Sequence, residues 1–249
     1  MRILPSLFLV GGHSTGLSDQ HDCNIYVVRG PDGLVMIDAG GGRDPDAIVA
    51  EMRQEGLDPE QVRWLLLTHH HADHASGAAA IKELTGCKVA ISHQSAHLLE
   101  RGTELDTRLD LAKRMGVYPD DFIWHNCPVD EQLHDGKIMR AAGIDVHVIE
   151  VEGHSLDSCC FHMRVDGRHC LFVGDVLQYG GLIGLINFPG STLDGYRNAL
   201  PKLRNLNVDG FFPGHSLFTV RDGQRHIDKA LERLKSPFVP PTIGQQMWF

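Results

Sequence analysis

Short apolar runs alternate with polar, glycine-bearing segments along nearly the whole chain. Residues 3–10 form the first such run, read as an opening strand although Pro5 interrupts it. A polar loop covers 11–22. Strands follow at 24–29 and 34–38, joined by the turn sequence Gly30-Pro31-Asp32-Gly33. Asp44 then Pro45 mark a helix start, a cap followed by proline in the first turn. Ala47, Ile48, Met52 and Leu57 give that helix an apolar stripe, and Gly56 closes it. The run 64–67 reads as a buried strand and 76–84 as the helix after it. A strand at 88–92, a short helix at 93–100 and a helix at 103–115 come next. Strands fill 133–151. Residues 161–165 and 168–173 form a hairpin about Asp166-Gly167. Ser191 or Thr192 caps a helix to about 206, which Pro201 should bend or interrupt. A strand at 208–213 and an amphipathic helix at 222–234 complete the pattern.

Chemistry concentrates at one strand-to-helix turn, Thr68-His69-His70-His71-Ala72-Asp73-His74. His69 and His71 are two apart, so on extended backbone they project to one side. Neutral imidazole suits zinc and similar first-row metals. Asp73 and His74 follow where the chain turns and can serve a second ion. A carboxylate among histidines is unusual for a closed structural zinc site and suits an open catalytic one. Further ligand-type residues stand after later strand-like runs: Gly153-His154-Ser155, Gly174-Asp175 and Gly214-His215.

With these in place the chain resembles the metallo-β-lactamase-fold hydrolases, whose signature is H-x-H-x-D-H followed by a lone His, Asp and His. The order and residue types match over about 3–234. Only the frame His69, His71, Asp73, His74 fits, leaving His70 on a variable position. The resemblance implies an α/β chain, a four-layer αββα sandwich with internal pseudo-symmetry, as a single metallo-hydrolase domain over 1–249. It implies two divalent metal ions, Zn2+ first, with Fe or Mn also suited to His/Asp donors. His69, His71 and His154 would hold one ion, Asp73, His74 and His215 the other, with Asp175 bridging. A hydroxide shared by the ions would be the nucleophile, and Asp73 would help orient it. Asp38 would steady the ligand loop from behind, where a plain strand-end turn is the simpler reading.

Departures narrow the reaction. Zinc β-lactamases of the best-known types carry Cys, or no ligand, where Asp175 stands. The full set is closer to hydroxyacylglutathione hydrolase (glyoxalase II) and the acyl-homoserine lactonases. Yet Gly153-His154-Ser155-Leu156-Asp157-Ser158 lacks glyoxalase II's second Gly-His, and the loop after Asp175 lacks its Cys-Gly-Arg. Lactonases place a Tyr shortly after the bridging Asp; Tyr179 stands one position further and is a candidate catalytic residue. The expected reaction is cleavage of a lactone, carboxylic ester or thioester. A phosphodiester or phosphotriester hydrolase and a mononuclear-iron persulfide dioxygenase are the alternatives. Leu182, Ile183, Leu185, Ile186 and Phe188, in the apolar glycine-rich loop after Asp175, are candidate substrate-wall residues, or else core packing.

The 249 residues suit one large α/β domain or two small ones, with no Pro/Ser-rich linker and no repeat. A net charge of −9 argues against nucleic acid, and no apolar run is long enough to span a membrane. A small-molecule substrate with an apolar or acyl part is expected. The six cysteines read as reduced, buried thiols of a cytoplasmic protein rather than a disulfide framework. His93 and His97, four apart, lack an acid at ligating spacing and read as ordinary polar histidines. Residues 101–132 could cover the substrate, form a homodimer contact through Val117, Tyr118, Phe122 and Trp124, or pack on the domain itself.

Overall fold

The computed structural model describes residues 1–245. By contacts the chain forms two compact units: Met1–Leu133 with Arg140–Ile144, and His134–Met139 with the chain from Asp145 on.

The first unit carries strands β1 (Arg2–Leu4), β2 (Leu7–Gly11), β3 (Ile25–Gly30), β4 (Gly33–Ile37), β5 (Val62–Leu66), β6 (Lys88–Ser92) and β7 (Glu131–Leu133), paired in sequence order. β1 to β4 are antiparallel hairpin neighbours. From β4 onward the pairs are parallel, so helices must cross between them. Helix α1 (Pro45–Gln54) joins β4 to β5, and α2 (Ala72–Ala75) with α3 (Ala78–Thr85) joins β5 to β6. Helices α4 (Ala96–Arg101) and α5 (Leu109–Arg114) precede β7. Asp44 caps α1 by accepting from the Ala47 amide at 3.2 Å, a contact worth about 1 kcal/mol. The predicted stripe Ile48 and Met52 is buried with Leu34, Met36, Leu65, Ile81 and Val89 in one core.

Local chemistry explains where these elements depart from the apolar pattern. Residues 3–10 split into β1 and β2 at the Pro5-Ser6 turn. The helix expected at 93–100 starts only at Ala96, because the His93 amide still bonds to Leu133 across the sheet. That expected at 103–115 shrinks to α5. Asp106 takes the Thr103 amide at 2.9 Å and its hydroxyl at 2.7 Å, and Arg108 enters the left-handed region at φ 64°. Such side-chain turns compete with helix.

The division falls within β8 (Ile138–Ala141) and at the first residue of β9 (Ile144–Glu150); the second unit carries the rest of β9, β10 (Cys159–Val165), β11 (Arg168–Gly174), the small hairpin β12 (Leu177–Gln178) and β13 (Leu182–Ile183), and β14 (Gly210–Pro213). Its sheet has the order β14-β11-β10-β9-β8, with β11 and β14 parallel. Helix α6 (Leu193–Ala199) ends where Pro201 enforces a short 3-10 turn, and α7 (Gln224–Leu234) follows β14. Val151, Leu171, Tyr196, Phe211, Ile227 and Ala230 are among its core residues. All six cysteines are buried and free. Among the described residues no helix is long and apolar enough to cross a membrane.

One core contact on α7 predicts a pH response. Buried His226 accepts the Gly180 amide on Nδ1 at 2.9 Å, so protonation of that nitrogen breaks a bond. Burial, aided by Arg225 and Lys229, lowers its pKa from 6.5 to about 4. Between those values the unfolded chain binds the proton and the folded chain does not, so stability falls as pH drops through that window. Urea midpoints measured from pH 7 to 4 should fall less steeply for His226→Gln, which keeps an acceptor without titrating. Equal slopes would acquit His226.

Candidate metal centre

In the first unit, parallel register delivers the chemistry. Ile37 of β4 pairs with Leu66 of β5, so Asp38 and Thr68 leave the same sheet edge side by side. Asp38 is buried and held at φ 61°, a conformation costing on the order of 1 kcal/mol or more outside glycine. Its Oδ1 accepts the Thr68 amide at 2.8 Å. Its Oδ2 meets His74 Nδ1 at 2.9 Å and the Thr68 hydroxyl at 2.9 Å. Thr68 Oγ1 in turn lies 3.0 Å from His69 Nδ1.

This chain of contacts sets proton positions. A carboxylate only accepts, so His74 carries its proton on Nδ1 and keeps the lone pair on Nε2. The Thr68 hydroxyl spends its hydrogen on Asp38 and therefore accepts from His69 Nδ1, leaving the lone pair of His69 on Nε2. The ligand atoms of His69 and His71 lie within 4.8 Å of one another, as do those of His69 and His74 and those of Asp73 and His74. His70 lies outside these sets, half-buried with its ring 5.2 Å from that of His71.

Two neighbours here have no sequence signature. Cys23 shares a 4.8 Å cluster with Asp38 and His74; burial pushes its thiol far up, so it packs as a neutral group. Tyr118 donates its hydroxyl to Asp73 Oδ1 at 2.6 Å, from 45 residues away. Burial, then the Asp73 charge, holds this phenol well above its usual range, so it remains a donor.

The second unit repeats the device. β11 and β14 run parallel with Gly174 opposite Pro213, and Asp175 and His215 emerge beyond them. Asp175 Oδ2 lies 3.3 Å from His215 Nε2 and 3.7 Å from His154 Nε2. His154 donates Nδ1–H to the Gly184 carbonyl at 2.7 Å, which again leaves Nε2 facing the carboxylate. Gln178 approaches Asp175 Oδ1 at 3.5 Å.

Tyr179 packs beside His226 and Arg225. Its ring lies 4.5 Å from that of His226, and its hydroxyl accepts from Arg225 at 3.1 Å. Of the five wall candidates, Leu182 and Ile183 are buried, with Ile183 in the core and Leu185 packed at its margin. Ile186 and Phe188 remain half-exposed. The donors of the two units, neutral imidazole Nε2 and carboxylate oxygen without thiolate, fit divalent first-row metals.

Comparison with known proteins places this geometry in context. The metallo-β-lactamase superfamily profile matches residues 18–215. Human acyl-coenzyme A thioesterase MBLAC2 is 29% identical over 210 residues, 77% of this chain and 72% of that protein. A hydroxyacylglutathione hydrolase from Cereibacter sphaeroides is 32% identical over 117 residues, 47% of this chain and 34% of that protein. Against two of the curated relatives the chain spans 61% and 34% of their lengths. A Cronobacter sakazakii metallo-β-lactamase (a HARLDQ motif mutant) superposes with a TM-score of 0.72, covering 94% of each chain at 22% identity. At that identity the likeness shows the fold, the one the sequence resemblance implied.

Proposed function

We propose, for a chain that belongs to the metallo-β-lactamase superfamily, that it is a metal-dependent hydrolase of acyl thioesters and related ester bonds. The observation that carries this reading is the donor set after β5, whose imidazole tautomers are fixed by Asp38 and Thr68. In this reading His69, His71 and His154 hold one divalent ion, Asp73, His74 and His215 hold a second, and Asp175 serves both. Zn2+ is the first choice, with Fe or Mn compatible. Such ions supply Lewis acidity toward a carbonyl oxygen and bring the pKa of water toward ~7.

The chain's own part is placement. Asp38 and Thr68 direct His69 and His74, the Gly184 carbonyl directs His154, and Asp73 orients the attacking water. Ile186 and Phe188 offer apolar surface to an acyl chain. The names of the human and bacterial relatives both denote cleavage of an acyl–sulfur bond, which favours thioesters over lactones. The six buried free thiols suit a cytoplasmic enzyme.

Turnover on an acyl-CoA, a hydroxyacylglutathione, an acyl-homoserine lactone and a phosphodiester tests this. A thioester should lead by at least about tenfold in kcat/KM, with activity lost to chelator and restored by Zn2+. Preference for the phosphodiester, or oxygen uptake with glutathione persulfide on a single iron, would overturn it.

A further inference from the structure

The segment around Tyr118 is fastened at three points within the first unit. Pro119 starts a turn in which the Phe122 amide bonds to the Pro119 carbonyl at 3.1 Å. Phe122 is fully buried and rests where a side chain on Gly41 would stand, since a Cβ there would lie 2.8 Å from Phe122 Cζ. Asp121 takes both terminal nitrogens of Arg43 at 3.2 Å, the planar two-point pairing that fixes direction as well as distance. The Tyr118 ring then packs on Phe122 with centroids 4.6 Å apart. Its hydroxyl donates to Asp73 Oδ1 at 2.6 Å, the length of a charge-assisted O–H···O⁻ bond.

A carboxylate has two oxygens, and this contact divides them. Oδ1 takes the phenol. Oδ2 lies on the side of His74, 3.5 Å from its Nε2. We propose that Tyr118 is a positioning residue that locks the Asp73 carboxylate so that Oδ2 alone is presented to the ion shared with His74. The role rests on the metal reading above. It assigns a task to the segment between α5 and β7 that the sequence left open between lid, dimer contact and packing. Without the hydroxyl, Asp73 Oδ1 loses the donor that orients it, and the second ion's carboxylate ligand is less firmly held while the first ion's ligands are unchanged.

Zn2+ titration of chelator-stripped protein, followed by calorimetry and repeated with Co2+ absorption, reads this directly. Tyr118→Phe keeps the ring on Phe122 and removes only the donor. It should weaken one of two binding steps by about 10–100-fold, the usual effect of removing a partner behind a ligand. The other step should stay as in wild type, and the thermal midpoint of the metal-free protein should fall only as far as the loss of one hydrogen bond requires. Tyr118→Leu, which also loses the ring contact, should show the same weakened step together with a lower metal-free midpoint. Two wild-type binding steps matched by Tyr118→Phe would overturn this role alone, as would a change confined to the metal-free midpoint. A wild-type protein that takes up no Zn2+ would overturn both this role and the metal reading beneath it.

Discussion

His71→Ala should lower bound metal and turnover together, turnover by about 100-fold or more, the ~3 kcal/mol expected when a Lewis-acid site loses a ligand. His70→Ala, one residue earlier, should leave metal content and rate within about twofold, the effect expected of a substitution outside the ligand set. The contrast follows from backbone direction. Alternate residues of an extended segment share a side, and the ligand atoms of His69 and His71 lie within 4.8 Å of one another, with ring centroids 4.6 Å apart. His70 belongs to none of the ligand-atom clusters, although its ring lies 5.2 Å from that of His71. Metal analysis beside steady-state kinetics on both variants decides the matter. Comparable losses in the two would mean that the ligands are read in the wrong frame.

Gly184→Ala should be the most damaging single methyl in the second unit. A Cβ there would lie 1.7 Å from the Asp175 carbonyl oxygen and 2.9 Å from its carbon. Both are backbone atoms, so no rotamer relieves the clash. The same methyl would come within 3.2 Å of His154 Nδ1, whose bond to the Gly184 carbonyl fixes that ring. Separation of Gly184 from Asp175 therefore shifts two proposed ligands at once. Overpacking of this kind costs about 3 kcal/mol, read as a lower urea midpoint, and turnover should fall with it. Wild-type midpoint and rate in Gly184→Ala would show that the loop yields without consequence.

The sequence exposed the parts of this molecule that depend on side-chain type and short spacing. Apolar runs located β5, β11 and β14, and ligand-type residues after each were visible as such. What it hid depends on register and on backbone. β12 is only two residues long, and successive side chains on a strand face opposite ways. A single step therefore decides that Gln178 turns toward Asp175 while Tyr179 turns to His226 and Arg225. Gly184 acts through a carbonyl, which has no letter in the sequence. Its apolar neighbourhood read as substrate wall or else as core packing, and Ile183 lies in the core. Tyr118 reaches Asp73 across the fold, with no periodicity linking them. The helix expected at 103–115 failed because Thr103 and Asp106 offered the backbone a local alternative.

The hydroxyl relay from Asp38 through Thr68 to His69 governs orientation and proton count but not elemental preference. Nitrogen and oxygen donors of this kind accept several first-row cations, and metal availability helps decide which one is bound. The element recovered with purified protein will therefore record the growth medium and the host's metal supply as much as the polypeptide itself.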